Sequence, residues 1–159
     1  MNQNGSRNYQ TQQIMTASPA RLVAMLYGKA IVCLKDAIAA IKAGDIEKRW
    51  KSNSAAQEII AHLLSTLDVE KGGEVGQNLE QLYCFMLRQL PQVDFKNDPK
   101  VAEDIIGLLE PLARSWEELA EKGGPNSPPP GPYRTSDTRS DGNGNQGEPP
   151  LPGPLSISA

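Results

Sequence analysis

Four stretches of this chain repeat apolar residues at alternating spacings of three and four, and each is fenced by residues that start or stop a helix. Ser18-Pro19 and Asp98-Pro99 each place a short oxygen-bearing side chain directly before a proline. That oxygen accepts an orphan amide of the first turn, and proline at the first helical position gives up no hydrogen bond. Gly44 and Gly123 stand where a helix needs a residue tolerant of positive φ in order to stop, and Gly72-Gly73 and Pro91 punctuate the chain between them. These marks delimit helices at about 19–43, 46–69, 74–90 and 99–122. Val23, Tyr27, Ala30, Leu34, Ala37 and Ile41 form the stripe of the first; Ile46, Trp50, Ile60, Leu63, Leu64 and Leu67 that of the second. Val75, Leu79, Leu82, Met86 and Leu90 mark the third, and Val101, Ile105, Leu108, Leu112, Trp116 and Leu119 the fourth. No β-branched alternation competes. Four such segments joined by short loops predict an all-α, antiparallel four-helix bundle.

Composition bounds what the bundle can do. Residues 123–159 hold nine of the thirteen prolines and seven of the fourteen glycines. Such a segment cannot bury enough apolar surface to order itself, so a disordered tail is expected there. Pro128-Pro129-Pro130 and Pro149-Pro150-Leu151-Pro152 favour polyproline II locally; the tail reads as a solubilising extension, with a recognition role as the alternative. The bundle is then assigned to residues 18–122, with a polar segment at 1–17 before it. The 16 Lys and Arg against 19 Asp and Glu give a net charge of -3, which argues against general nucleic-acid binding. No apolar run reaches the length of a membrane span, and Met1 to Gln13 lacks the pattern of a secretory signal. A soluble, cytoplasmic protein is expected.

Chemistry is scarce. Cys33 and Cys84 fall inside apolar patterns and read as buried free thiols; with one histidine they cannot supply a four-ligand zinc site, and no cofactor is indicated. His62, beside Leu63 and Leu64, reads as a structural or surface residue, with Ile59 and Ile60 before it suggesting burial. A histidine-phosphotransfer bundle with His62 as phosphoacceptor is the alternative, although the surrounding residues lack the small, glycine-rich surface that a response regulator needs. No catalytic triad or phosphate loop is present, and Glu117, Glu118 and Glu121 read as a solvated face. An enzyme is not expected. What the chain has in excess is apolar surface. Leu22, Met25, Leu26, Ile31 and Ile38 lie beside or outside the core stripe of the first helix, and Ile106 and Leu109 do so in the last. A bundle helix needs roughly three apolar positions in seven, so the extras predict either a wide stripe or an outer groove for a partner helix.

The run from Tyr9 through Thr16-Ala-Ser-Pro19 to Met25-Leu-Tyr27 resembles the opening of the flagellin export chaperone family, FliS. Leu67-Asp68 with Glu70-Lys71-Gly72-Gly73-Glu74, then Asn78-Leu79, Leu82-Tyr83, Asn97-Asp98 and Trp116 follow in the family's order. The similarity covers about residues 8 to 120. Gly28-Lys29, Cys84-Phe85 and the Pro91–Phe95 loop depart from the family pattern, and the Pro/Gly tail is outside it.

The resemblance implies a non-enzymatic cytoplasmic chaperone that binds the C-terminal segment of flagellin, prevents premature polymerisation and delivers it to the flagellar export apparatus. It implies an N-terminal strap at Tyr9, Gln13 and Ile14 that folds over an apolar groove when cargo is absent. For that groove the surplus residues Leu22, Leu26, Ile31 and Ile38 are expected, joined by Ile59 and Leu63 of the second helix. Tyr27 and Trp116 are assigned to the core, with the Tyr27 hydroxyl sent to a polar partner. A monomer or weak homodimer is expected, contacting an export gate component and neither nucleic acid nor membrane.

Overall fold

In the computed structural model, which describes residues 17–123, the residues marked as helix starts do start helices. Helix α1 (Pro19–Ala43) opens on Ser18, whose hydroxyl accepts the Arg21 amide at 3.2 Å, and closes on Gly44 at φ 71. Helix α2 (Ile46–Thr66) opens on Asp45, which accepts the Lys48 amide at 2.9 Å. Helix α3 (Val69–Gln89) opens on Asp68, which accepts the Lys71 amide at 3.1 Å. A single turn, α4 (Pro91–Lys96), leads to Asn97 at φ 51, and α5 (Pro99–Gly123) follows, with Asp98 accepting the Lys100 amide at 2.9 Å. All regular elements among the described residues are helical, as the periodicity predicts. The assigned strap residues Tyr9, Gln13 and Ile14, and the tail beyond Gly123, lie outside the described residues.

Two boundaries differ from the expectation, for one reason. Helix α2 stops at Thr66, before the expected 69, because Leu67 turns extended and Asp68 caps a new helix. Helix α3 therefore begins a turn before the Gly72-Gly73 pair instead of after it. Gly73 sits inside at φ 53, ψ -132, a backbone conformation open to glycine and costly for other residues. This bend folds the first turn back so that the Val69 carbonyl lies 3.0 Å from where a Cβ on Gly76 would stand. Within α5, Pro111 and Gly107 are both exposed, so the Gly107 carbonyl, deprived of its helical donor, is left to water.

Helix α1 is the centre of the packing, lying along both α2 and α5, while α3 leans more lightly on α2. Small residues on α1, Ala24, Ala30, Ala37 and Ala40, are buried and permit that close approach. The backbones of α3 and α5 make no comparably close approach. Large side chains bridge the interior instead: Tyr83 and Met86 from α3 are fully buried, as are Ile105 and Leu109 from α5. Leu109 and the buried Ile106, expected as surplus, thus belong to the core.

A polar string runs through this apolar interior. The hydroxyls of Tyr27 and Tyr83 hydrogen-bond across α1 and α3, with ring centroids 6.4 Å apart and planes tilted by 38°. The Trp116 indole N–H from α5 donates to the Tyr27 hydroxyl. Tyr27 and Trp116 are both buried, in agreement with the expectation. Burial, reinforced by the adjacent Tyr83, drives the Tyr27 phenol far above the ordinary tyrosine range, and burial drives Tyr83 upward too. A phenol with a raised folded-state pKa holds its proton more tightly when folded. Its contribution is therefore complete below the unfolded value near ~10 and is lost as pH rises past it. Urea midpoints are expected to hold steady from neutral pH to about pH 9, then fall as each phenol removes about 1.4 kcal/mol per pH unit above ~10. Tyr83→Phe is expected to flatten that alkaline slope; an unchanged slope would show that these phenols titrate alike folded and unfolded.

Candidate functional site: the apolar faces left outside

The expected groove residues do not form one row. At about 100° per residue, Ile31 lies roughly 140° round α1 from Leu26. Lys35, on the Ile31 side, pairs with Glu110 of α5 at 3.7 Å, so that flank faces α5, and the flank bearing Leu22 and Leu26 faces α2. Ile31 is buried and Ile38 half-buried, both packed with the core. Leu63 is fully buried and offers no outer surface, whereas Ile59 is half-buried. What stays outside at the start of α1 is Leu22 and Met25, each 37% exposed, with Leu26 half-buried beside them. Because α2 runs antiparallel to α1, its last turns, with Ile59, flank this strip.

Other apolar faces were assigned to core stripes by periodicity alone and are exposed. Trp50 and Ile46 lie on the surface of α2, with Trp50 58% exposed. The wheel carries the signal that separates them, since Trp50 stands about 80° round from the buried Ile60. Phe95, on α4 and outside every predicted stripe, is 83% exposed, the most exposed of the large apolar residues described. Val75 on α3, with Leu108 and Leu119 on α5, also face outward.

The bundle end carrying Trp50 and Phe95 is held by a polar network with no local signature in the sequence. Asn53, fully buried on α2, donates from Nδ2 to the Leu90 carbonyl at 2.9 Å and to Asp94 Oδ2 at 2.6 Å. Arg49 Nε donates to Asp94 Oδ1 at 3.1 Å, and its guanidinium also reaches Asn97. Both Asp94 oxygens are thereby used, and α4 is tied to α2 through a largely buried ion pair.

Reactive chemistry is absent from these faces. Burial pushes the Cys33 thiol upward, away from the thiolate that a nucleophile or metal ligand requires. Cys33 and Cys84 are free thiols, Cys33 buried and Cys84 half-buried. His62 is a surface residue, and the burial that Ile59 and Ile60 suggested does not occur, because the buried face of α2 runs through Ala56, Ile60 and Leu63. Its carbonyl accepts from the Ser65 and Thr66 hydroxyls. Glu117, Glu118 and Glu121 are exposed, as expected. Among the described residues no group of His, Cys, Asp and Glu is placed to hold a metal ion, and no helix is long and apolar enough to cross a membrane.

Leu22→Asp together with Met25→Asp is expected to leave far-UV circular dichroism helical and shift stability by about 1 kcal/mol or less, whereas Leu63→Asp unfolds the bundle. Equal urea midpoints for the two variants would overturn this division between face and core. Asp94→Ala is expected to cost about 3–5 kcal/mol by stranding Arg49 and Asn53, read from the same denaturation curves.

The family model for "Flagellar protein FliS" matches residues 1–123. The chain is 37% identical over 110 residues to the flagellar secretion chaperone FliS of Salmonella typhimurium, covering 69% of this chain and 82% of that protein. It is 36% identical over 107 residues to the FliS of Vibrio cholerae, covering 67% of this chain and 79% of that one. The FliS of Bacillus subtilis is 29% identical over 119 residues, covering 75% of this chain and 88% of its own length. A helical bundle with unpaired apolar faces and a family match running from residue 1 to the end of α5 lead to one assignment: this chain belongs to the FliS family of flagellar secretion chaperones.

Proposed function

We propose that this protein binds the C-terminal segment of flagellin in the cytoplasm, keeps it from associating prematurely, and presents it to the flagellar export apparatus. The observation that carries this reading is the strip of Leu22, Met25 and Leu26 along the start of α1, bordered by Ile59 of α2. These side chains add little to the monomer's own core and suit the apolar face of an amphipathic helix. Ile31 and Ile38 lie on the flank toward α5 and Leu63 is fully buried, so none of the three belongs to this strip. Tyr9, Gln13 and Ile14 are proposed as a strap that shields the strip before cargo arrives.

The energetics suit a carrier that must also let go. Coupled folding of a segment onto a bundle buries on the order of 1,000–3,000 Å². At ~25 cal/mol per Å² of apolar area the gross gain is tens of kcal/mol, but ordering the segment and losing free motion consume most of it. Binding of this kind needs no nucleotide hydrolysis for release; a competing surface at the export gate suffices.

A peptide spanning the C-terminal segment of flagellin is expected to bind with a negative heat-capacity change and to gain helicity on the protein. Leu22→Asp with Met25→Asp should weaken that binding at least tenfold while the fold persists. Equal binding of full-length flagellin and flagellin lacking this segment would sink the reading.

A further inference from the structure

Both flanks of α1 are occupied by neighbouring helices, and its outward side carries a pattern of its own. Leu22, Met25, Lys29, Val32, Asp36 and Ala39 follow one another in steps of three and four, and all six are exposed. Val32, at 49%, is the most exposed large apolar side chain of this helix. At about 100° per residue, the row is centred opposite the fully buried Tyr27 and Leu34. Lys35, which meets Glu110 of α5 at 3.7 Å, marks one edge, and the half-buried Leu26 marks the edge toward α2.

Steps of three and four sustained in this way are those of a heptad seam, with Leu22, Lys29 and Asp36 at one core position and Met25, Val32 and Ala39 at the other. The seam runs for about 26 Å of helix. The inner stripe of α1 already fills the core of the bundle, so folding does not require a second apolar row on the opposite side.

Two charges interrupt the seam, and α1 answers neither. The residues one turn from Lys29 are Met25, Leu26, Val32 and Cys33, and those one turn from Asp36 are Val32, Cys33, Ala39 and Ala40. All are uncharged, and no ion pair among the described residues includes Lys29 or Asp36. Two turns of helix, about 10 Å, keep the two from meeting each other. Lys29 stands in the Gly28-Lys29 pair, one of the places where this chain departs from the family pattern.

We propose that this seam docks one amphipathic helix of the cargo, whose apolar face is interrupted by a carboxylate opposite Lys29 and, seven positions away, by a Lys or Arg opposite Asp36. The inference rests on the cargo reading for the origin of that helix and adds the pattern by which it is recognised. The apolar positions of the seam supply attraction, while polar residues at core positions set register at some expense of stability. A helix with an unbroken apolar face would cover Lys29 and Asp36 without a counter-charge, at a desolvation cost. A slip of one heptad would set carboxylate against Asp36 or cation against Lys29. The two charges thus select one register and one direction for the docked helix, and they do so partly by repelling the alternatives.

The test uses the full chain and three synthetic amphipathic helices that share one apolar heptad face and differ at two successive core positions, which hold Glu and Lys, Glu and Glu, or Lys and Lys. Calorimetric titration is expected to show the unaltered protein preferring the Glu/Lys peptide by roughly tenfold. Lys29→Glu should move the preference to the Lys/Lys peptide and Asp36→Lys to the Glu/Glu peptide, with helical circular dichroism unchanged in both. Equal affinity for the three peptides, no binding of any of them, or preferences that do not move with the variants would each overturn the inference. The C-terminal segment of flagellin should bind Lys29→Glu severalfold more weakly than the unaltered protein. Undiminished binding of that segment by Lys29→Glu overturns the charge pattern and leaves the cargo reading standing. Failure of the segment to bind the unaltered protein, with the peptide preferences intact, overturns the cargo reading and leaves the seam.

Discussion

The buried hydroxyls of Tyr27 and Tyr83 set the constraint from which the shape of this bundle follows. A phenol taken out of water without a partner costs several kcal/mol, so each ring must bring its oxygen to another polar group inside the core. Tyr27 meets Tyr83 from α3 and receives the Trp116 N–H from α5, which registers three helices at one point. Around that point the helices pack unequally. Alanines on α1 let α2 and α5 come close, whereas the bulk of Tyr83 and Met86 holds α3 at a distance. The result is a bundle whose backbones approach closely along two seams of α1, with large side chains filling the interior beneath α3. Its outer apolar faces are consequences of how its centre is filled.

The helices were legible because their signals are local. Ser18-Pro19, Gly44 and Asp98-Pro99 act within one turn of where they stand, and the ends of α1 fall where they predict. The break at Leu67-Asp68 was harder to see: Leu67 continues the apolar spacing of Ile60 and Leu63, so periodicity runs straight through a chain that has turned extended. Only the capping chemistry of Asp68 marks the new start. The network of Arg49, Asn53, Asp94 and Asn97 had no local mark at all, because its members lie up to 48 positions apart and only the packed bundle brings them together.

Site residues were legible in kind but not in placement. Counting apolar residues on α1 joined Leu22 and Leu26 in one row with Ile31 and Ile38, which lie on the opposite flank toward α5; of the four only Leu22 is exposed. Leu63 was counted both in the core stripe of its helix and in the groove, and it lies in the core; one step along a helix turns a side chain by about 100°. The same step explains why His62 is exposed while Leu63 is fully buried. An excess of apolar residues states that some surface remains uncovered; the angular position of each residue decides which surface.

That angular separation bears on what the molecule can hold. The strip at Leu22 and Met25 borders α2, Leu108 and Leu119 are exposed on α5, and Trp50 with Phe95 occupies the bundle end where α4 is tied down. A straight helix is about 10–12 Å across with its side chains, so it covers one of these faces at a time. A single polypeptide could reach more than one only by bending around the bundle, with breaks between its helical pieces. Faces carried on different flanks of the bundle are expected to act on stability additively when changed together. Departure from additivity in binding would then report a ligand that spans them, since the bundle itself supplies no reason for the faces to communicate.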